Sequence, residues 1–406
     1  MIQLAEKTKL ELNLLTSRYH PPHLIQNTPQ KMKKTFLYSI TASIIITAGN
    51  SYALEPFVES KDSYTATYFK RVMANLDKNT DGQLQAEENE KLWKKNKHHD
   101  LNKDNVLDQE EFKNVTRGYI DHKGEKVLDV LYKKTEEEDL YLDFYYPDVD
   151  DNKKKPVVIY THGGGWAAGN KHAAGKASFA VVHKKLLEKG FCVVSVNYRL
   201  CKKNTKVAMR DCVVDAKDAI RFISAHSETI GIDPTKIYTF GDSAGGHISQ
   251  MLLLSTPESF TGDPELAKYT YQTVAGVSWY GPCDFQDSQL FNHDDRENFR
   301  DRFGPRILGA NKNPEDKAKL YTEVSPVEYL TEDSPPLLMI QGDKDTSIPV
   351  KQAHRMEQAL ETIKAPVEIS IVKNAGHNWR KVDADIEPSR DEIVDNTVNF
   401  LLKHFK

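Results

Sequence analysis

Residues Tyr238 to Gly246 read Tyr-Thr-Phe-Gly-Asp-Ser-Ala-Gly-Gly. An apolar strand runs into Gly241-Asp242-Ser243-Ala244-Gly245 and on into a helical stretch, Ala244–Leu254, so the chain must turn sharply at a serine between a strand and a helix. So tight a turn leaves no space for a Cβ on either side of the serine, which accounts for Gly241 and Gly245. Taken alone, G-x-S-x-G is a weak pattern. Its strand-turn-helix setting adds weight, and so does a second motif: strand Val157–Tyr160 ends in Thr161-His162-Gly163-Gly164-Gly165-Trp166. Glycines let the backbone approach closely, and the N–H groups of Gly164, Gly165 and Ala244 become candidate donors to a tetrahedral oxyanion. A phosphate-cradling loop is the other reading of such glycines, but no G-x-G-x-x-G or Walker lysine stands at the required offsets.

A serine nucleophile needs a base and a group that orients the base, in the chain order Ser, Asp, His for this kind of turn. After the apolar run Pro336 to Gln341 come Gly342-Asp343-Lys344-Asp345, and past strand Val367–Val372 come Ala375-Gly376-His377-Asn378. His377 is therefore the candidate base. Asp343 and Asp345 compete for the acid role. Asp345 is preferred because the loop needs two or three residues beyond the strand end to turn back toward the histidine, which leaves Asp343 as a structural loop carboxylate. His162 is read as a brace for the glycine loop, and His247, on the helix after Ser243, as a packed or surface histidine.

From about Glu125 onward, β-rich apolar runs alternate with helical stretches, the pattern of a mostly parallel sheet covered on both faces. The spacing predicts eight strands, at Lys126–Tyr132, Leu140–Tyr146, Val157–Tyr160, Cys192–Tyr198, Ile237–Phe240, Val274–Tyr280, Leu337–Gln341 and Val367–Val372. It predicts helices at Val207–Ser224, Ala244–Leu254, Lys351–Ile363 and Arg390–Lys406. Residues 119–406 thus form one α/β domain. Its segment 284–319, rich in Asp, Arg and Phe, separates strand Val274–Tyr280 from the acid-bearing strand and lacks a long apolar stripe for a lipid surface.

Composition narrows the partners. With 55 Lys+Arg against 59 Asp+Glu in 406 residues the formal charge is −4, which gives no field for nucleic acid. A mean hydropathy of −0.59 excludes a polytopic membrane protein. One apolar run, Phe36 to Gly49, is shorter than the roughly 20 residues needed to span a bilayer. Lys33 and Lys34 precede it and Ser51-Tyr52-Ala53 follow it, the order of a secretory signal peptide. The expected organisation is an upstream extension at 1–31 with translation starting at Met32, a signal peptide at 32–53 and export to the periplasm or outside the cell. A signal anchor with a short cytoplasmic tail is the rival reading; after cleavage no stable membrane anchor is expected.

Between the leader and the α/β domain, residues 77–88 place Asp77, Asn79 and Asp81 at loop positions 1, 3 and 5, Gly82 at 6, Leu84 at 8 and Glu88 at 12. This is the EF-hand pattern, in which a Ca²⁺ ion takes six to eight hard oxygens, here including the Gln83 carbonyl and Gln85 through water. A second loop repeats it with Asp100, Asn102, Asp104, Val106 (carbonyl), Asp108 and Glu111, and with Asn105 where glycine is usual. Leu84 and Leu107 are placed to pair as a short β-bridge. Residues 54–118 are read as a small all-α EF-hand pair with structural calcium, no cofactor being required for the chemistry.

HGGGW at 162–166, Asn197-Tyr198-Arg199-Leu200, GDSAGGH at 241–247, Tyr280-Gly281-Pro282-Cys283-Asp284, Ser325-Pro326, GDKD at 342–345 and AGHNW at 375–379 together resemble the α/β-hydrolase serine esterases. The nearest branch is that of acetylxylan and feruloyl esterase-like and hormone-sensitive-lipase-like enzymes. The resemblance covers about residues 124–406 and implies an α/β-hydrolase fold in which the 284–319 segment arches over the active site as a small lid, its lack of a long apolar stripe favouring a soluble short-acyl ester over a lipid surface. It also implies a Ser243–His377–Asp345 triad, an oxyanion hole from Gly164, Gly165 and Ala244, and an ester or acylated-carbohydrate substrate. Cys283 departs from the small polar residue expected beside the pocket, and Cys201 and Cys212 flank a loop where either a disulfide or free thiols would fit. A serine peptidase of the same fold and an inactive calcium-dependent binding protein are the alternatives. The sequence leaves the oligomeric state open.

Overall fold

The computed structural model describes residues 73, 76–97, 100, 102–107, 118–149, 151, 153–311 and 313–405. The upstream extension and the signal peptide read from the sequence lie outside the described residues. No helix among the described residues is long and apolar enough to cross a membrane.

Eight strands form one sheet: β1 (Lys126–Lys134), β2 (Asp139–Tyr145), β3 (Lys155–Thr161), β4 (Cys192–Val196), β5 (Ile232–Asp242), β6 (Thr273–Trp279), β7 (Leu337–Gly342) and β8 (Val367–Val372). Their spatial order is β1-β2-β4-β3-β5-β6-β7-β8, with β2 antiparallel to both neighbours and every other pairing parallel. All eight strands expected from the sequence are present. The largest departure is β5, which starts five residues early: Ile232 pairs with Lys155 across an irregularity, a pairing hidden by the polar stretch Asp233 to Lys236.

Continuous apolar runs suit strands buried on both faces. Along β3, Val157 and Ile159 enter one core while Val158 and Tyr160 enter the other. The first core is covered by helices α2 (Met209–Ala225) and α3 (Ala244–Leu254), the second by α1 (Ala177–Glu188) and α5 (Arg390–Lys403). Helix α4 (Lys351–Thr362) closes a third cluster over β7 with Met356 and Ala359. The start of α5 is written in its sequence: the Ser389 hydroxyl accepts the Glu392 N–H, and the Glu392 carboxylate accepts the Ser389 N–H at 2.8 Å.

Helix α2 carries Asp215, Lys217, Asp218 and Arg221 into the interior. Asp215 accepts Lys133 Nζ and Arg199 Nε, each at 2.7 Å, and Asp218 accepts Lys133 and Arg221. Arg199 of the Asn-Tyr-Arg-Leu motif therefore ties the end of β4 to α2. Removing one partner from such a network leaves a buried charge uncompensated, at a cost of about 3–5 kcal/mol.

The N-terminal loops have their own small core of Met73, Leu84, Trp93 and Leu107. Strand Leu84–Gln85 pairs antiparallel with Val106–Leu107, Leu84 opposite Leu107, and helix Glu90–Asn96 follows the first loop.

Candidate active site

Strand β5 delivers Ser243 to the N-terminus of α3 in a backbone conformation, φ 52° and ψ −117°, that an L-residue rarely adopts. The strain is held from both sides. Ser243 N–H donates to Trp279 O at 2.8 Å, and a Cβ on Gly245 would stand 1.9 Å from Thr161 O, so the helix start is pressed directly against the end of β3. Only glycine permits that approach.

His377 lies just after β8, its ring 4.7 Å from that of Tyr280. Its Nε2 is 3.0 Å from Ser243 Oγ, and its Nδ1 is 2.7 Å from Asp345 Oδ2. In this arrangement Nδ1–H donates to the carboxylate and Nε2 faces the serine hydroxyl. Asp345 is buried, and its other oxygen accepts the N–H groups of Ser347 (2.7 Å) and Ile348 (2.9 Å), which fixes the plane of the carboxylate. Asp343 accepts the Ala375 N–H at 3.3 Å and makes no recorded contact with His377. The three residues singled out from the sequence are thus brought into one hydrogen-bonded chain, with Asp345 and not Asp343 against the histidine.

The glycine loop after β3 turns through φ +123° at Gly164 and +60° at Gly165, which aligns successive N–H groups. Among the described residues neither N–H donates to a protein acceptor. Ala244, the first residue of α3, likewise has no intrahelical partner for its N–H. The loop is positioned by Asp242, which the sequence reading passes over although it lies inside the serine motif. Its Oδ1 accepts Gly163 N–H and Tyr160 Oη–H, both at 2.9 Å. Burial pushes the Asp242 carboxyl up to about 6, against the opposing pull of those two donors.

His162 is buried and stacked on Tyr198, with ring centroids 4.3 Å apart, so it braces the loop as expected. His247 is buried too: Trp166 Nε1–H donates to its Nδ1 at 3.1 Å, and its Nε2 lies 2.7 Å from Val324 O. Trp166 and Phe285 pack edge to face on it and Phe303 packs edge to face on both of them, and this aromatic cluster joins the glycine loop to the 284–319 segment. That segment reaches both sides of the serine. Arg306 Nη1 stands 3.0 Å from where a Cβ on Gly165 would be, and Arg302 donates to Ser347 O in the Asp345 loop.

Cys283 is buried against α4, where its N–H donates to Gln352 Oε1 at 2.8 Å, and burial pushes its thiol well up. Cys201 and Cys212 are both buried, with Sγ atoms 3.7 Å apart and unbonded.

In the first N-terminal loop, Asp77 accepts Asp81 N–H (3.2 Å) and Gly82 N–H (2.8 Å), and Glu88 accepts Lys78 N–H (2.7 Å), Asn79 N–H (3.1 Å) and Gln85 N–H (3.1 Å). Burial opposes ionisation of Glu88, but those three donors prevail and hold its carboxyl below the usual range. Gly82 has φ +82° and Asn105, its counterpart, +63°. In the second loop Asp100 accepts Asp104 N–H (3.2 Å) and Asn105 N–H (3.0 Å), while Asp104 accepts Val106 N–H (2.8 Å). Asp108 and Glu111 lie outside the described residues. The oxygen donors suit a hard cation, although no three His, Cys, Asp or Glu side chains among the described residues converge as a metal site.

The sheet order and the serine turn define an α/β-hydrolase. The chain belongs to the BD-FAE family, whose pattern it matches over residues 142–360, a stretch that includes Ser243 and Asp345 and stops before His377. It is 32% identical over 225 residues to a probable carboxylic ester hydrolase, LipM, of Mycobacterium tuberculosis, covering 54% of this chain and 48% of LipM. It is 26% identical over 273 residues to the isoprenylcysteine alpha-carbonyl methylesterase ICME of Arabidopsis thaliana, covering 64% of this chain and 58% of that protein. The chain thus spans about half the length of the curated relatives it matches. Two solved folds are similar. One is a propionate-bound thermophilic esterase, Est2, of Thermogutta terrifontis (TM-score 0.53, 23% identity, 69% of this chain and 94% of that one). The other is a truncated carbohydrate esterase from gut microbiota (TM-score 0.54, 24% identity, 70% and 99%).

Proposed function

We propose that this protein hydrolyses carboxylic esters through an acyl-enzyme on Ser243. The carrying observation is the chain Ser243 Oγ, His377 Nε2, His377 Nδ1, Asp345 Oδ2, with separations of 3.0 and 2.7 Å. His377 takes the hydroxyl proton as Ser243 Oγ attacks the ester carbonyl and returns it to the leaving alcohol, while Asp345 holds the tautomer and stabilises the imidazolium. Charge on the carbonyl oxygen is received by the N–H groups of Gly164, Gly165 and Ala244. Water then attacks the acyl-serine with His377 as base, and the carboxylic acid leaves.

The substrate we infer is a short-acyl ester, with an acetyl or feruloyl group on a carbohydrate as the natural class. In support, the segment over the site is built from short helical turns and charged residues and offers no long apolar stripe to a lipid surface. Hydrolysis of 4-nitrophenyl acetate tests the reading: it should be measurable in the intact chain and fall by several orders of magnitude in Ser243→Ala. Undiminished turnover in that variant would remove Ser243 from the mechanism.

We also infer that the protein is exported by the segment 32–53, and that the N-terminal loops hold structural calcium. The ligands would be Asp77, Asn79, Asp81, Gln83, Gln85 and Glu88 in one loop and Asp100, Asn102, Asp104, Val106, Asp108 and Glu111 in the other. Support comes from the Leu84–Leu107 pairing and from the positive φ at Gly82 and Asn105. An N-terminal sequence of the secreted protein that begins near Leu54 checks the first inference, and recovery of intact residues 1–31 would overturn it.

A further inference from the structure

Three arginines on or beside the 284–319 segment are paired with carboxylates: Arg296 with Asp294, Arg355 with Asp284 and Arg210 with Glu323. Arg306 is not. It is half-buried, no carboxylate among the described residues lies within 4.0 Å of its guanidinium, and its side chain donates to no described acceptor. Arg302 has no carboxylate partner by the same measure, its one recorded hydrogen bond going to the Ser347 carbonyl. Both guanidinium groups flank the Phe303 ring, at 4.8 Å for Arg302 and 5.7 Å for Arg306. The adjacent acid, Asp301, is spent on the N–H groups of Phe303 and Gly304 and on the Tyr321 hydroxyl. Arg302 is exposed and lies within electrostatic reach of the Asp345 carboxylate, whereas the half-buried Arg306 guanidinium has no carboxylate beside it among the described residues and is the charge left for a ligand to meet.

The position is specific. Nη1 of Arg306 stands 3.0 Å from where a Cβ on Gly165 would be, with Cζ at 3.7 Å and Nη2 at 4.0 Å, so the guanidinium leads with Nη1 toward the glycine loop and Nη2 lies farther back. A Cβ lies roughly 2.5 Å from its own backbone nitrogen, which puts Nη1 no more than about 5.5 Å from the Gly165 nitrogen. A group three or four bonds from the scissile carbonyl reaches that far. A guanidinium matches a carboxylate bidentately, as an ammonium does not.

Resting on the ester-hydrolase reading above, we propose that Arg306 is a specificity residue that binds a carboxylate on the substrate. The favoured esters are half-esters of a dicarboxylic acid or esters of an alcohol that itself bears a carboxylate, such as an acylated uronic acid. Arg302, beside it, adds charge and holds the segment to the Asp345 loop. The hydrolysis is unchanged in its atoms; the carboxylate is bound and released intact.

The test compares kcat/KM of the full chain, Arg306→Gln and Arg306→Lys on three synthetic esters. These are 4-nitrophenyl pentanoate (neutral), mono-4-nitrophenyl succinate (charge on the acyl side) and 4-carboxyphenyl butyrate (charge on the alcohol side). Taking each variant against the intact chain on the same ester cancels leaving-group reactivity. Arg306→Gln should lose at least about tenfold more on one of the two anionic esters than on the pentanoate, chiefly in KM, and Arg306→Lys should recover part of the difference. Raising NaCl to about 1 M should narrow the intact chain's preference, because the bound charge is only half-buried. Equal losses on all three esters would make Arg306 part of the oxyanion machinery or of the fold, and would overturn the proposal, as would no difference between the chains. Turnover of the pentanoate in either case leaves the esterase reading standing. No turnover of any of the three by the intact chain would overturn both.

Discussion

Ser243 follows a strand whose side chains are buried on both faces, at a turn clamped between Thr161 and Trp279, whereas the loop from Asp77 to Glu88 is anchored, among the described residues, on a core of Met73, Leu84, Trp93 and Leu107. Both regions store awkward geometry. In the sheet region the positive φ at Ser243 is enforced by covalent neighbours and packed helices, so the site is formed before any substrate arrives. In the loop region, carboxylates that would repel one another are kept apart by accepting loop N–H groups. The difference teaches what each region asks of a ligand. One should do chemistry on a ligand without being reshaped by it, and the other should gain its stability from one.

That contrast is broken most severely at the serine. Ser243→Ala should keep the melting temperature and lose on the order of 10⁶ in kcat, the scale for triad serines, as read by single-turnover hydrolysis of 4-nitrophenyl acetate. Next comes the acid. Asp345→Asn should cost about 10⁴ in kcat, because an amide favours the wrong histidine tautomer, while Asp343→Asn should cost less than about tenfold, since Asp343 only receives the Ala375 N–H. The reverse ranking in kcat would detach Asp345 from the mechanism.

How much of this was legible follows from the kind of signal each feature leaves. Strands buried on both faces leave continuous apolar runs, so all eight strands could be read, and the glycines at 241 and 245 mark a backbone approach that only one residue type tolerates. Asp345 could be separated from Asp343 by loop length alone. The supports left no such trace. Asp242 holds the glycine loop from a variable position of the serine motif, and Asp215 and Asp218 look like solvent charges on a helix until Lys133, Arg199 and Arg221 fold onto them. Arg306 is one of several arginines in a polar insertion until the fold sets it against Gly165. These roles depend on partners distant in the chain, and single-sequence periodicity carries no such information.

The sheet region has a weakness of its own, and pH exposes it. Burial pushes His162, His183 and His247 each down to about 4, so all three are neutral in the fold and take up protons on unfolding. For a base with a depressed folded value, the stability it contributes is complete above the unfolded value near 6.5 and is lost as pH falls toward 4. Each site is worth on the order of 3 kcal/mol over that window. Two buried carboxyls work in the opposite sense: Asp242 is pushed up to about 6 and Asp143 is also raised by burial, so their stability is gained as pH falls through the raised values. Three histidines outweigh two carboxyls. Urea denaturation at pH 7, 5.5 and 4.5 should show a loss of several kcal/mol, and His183→Phe, which removes one buried site between Tyr160 and Phe240, should show a shallower loss. A flat profile would mean that the three rings are solvated.

The smallest expected effect falls on the loops and tests the contrast from their side. Asp77, Asp81 and Glu88 crowd one loop, and Asp100 and Asp104 are joined by Asp108 and Glu111 in the other sequence repeat. An ion that binds only the folded loops adds about 2.7 kcal/mol at a concentration 100 times its Kd. EGTA should therefore lower the melting transition of the N-terminal region, and Glu88→Gln should abolish most of the shift that calcium restores, because the bidentate ligand is gone. Initial rates on 4-nitrophenyl acetate at room temperature should stay within about twofold, since no step assigned to Ser243, His377 or Asp345 passes through a metal. An immediate loss of kcat on chelation, with the sheet region still folded by circular dichroism, would show that the loops shape the site. The two regions would then be one functional unit, and the rigidity argued for the serine turn would be conditional on the ion.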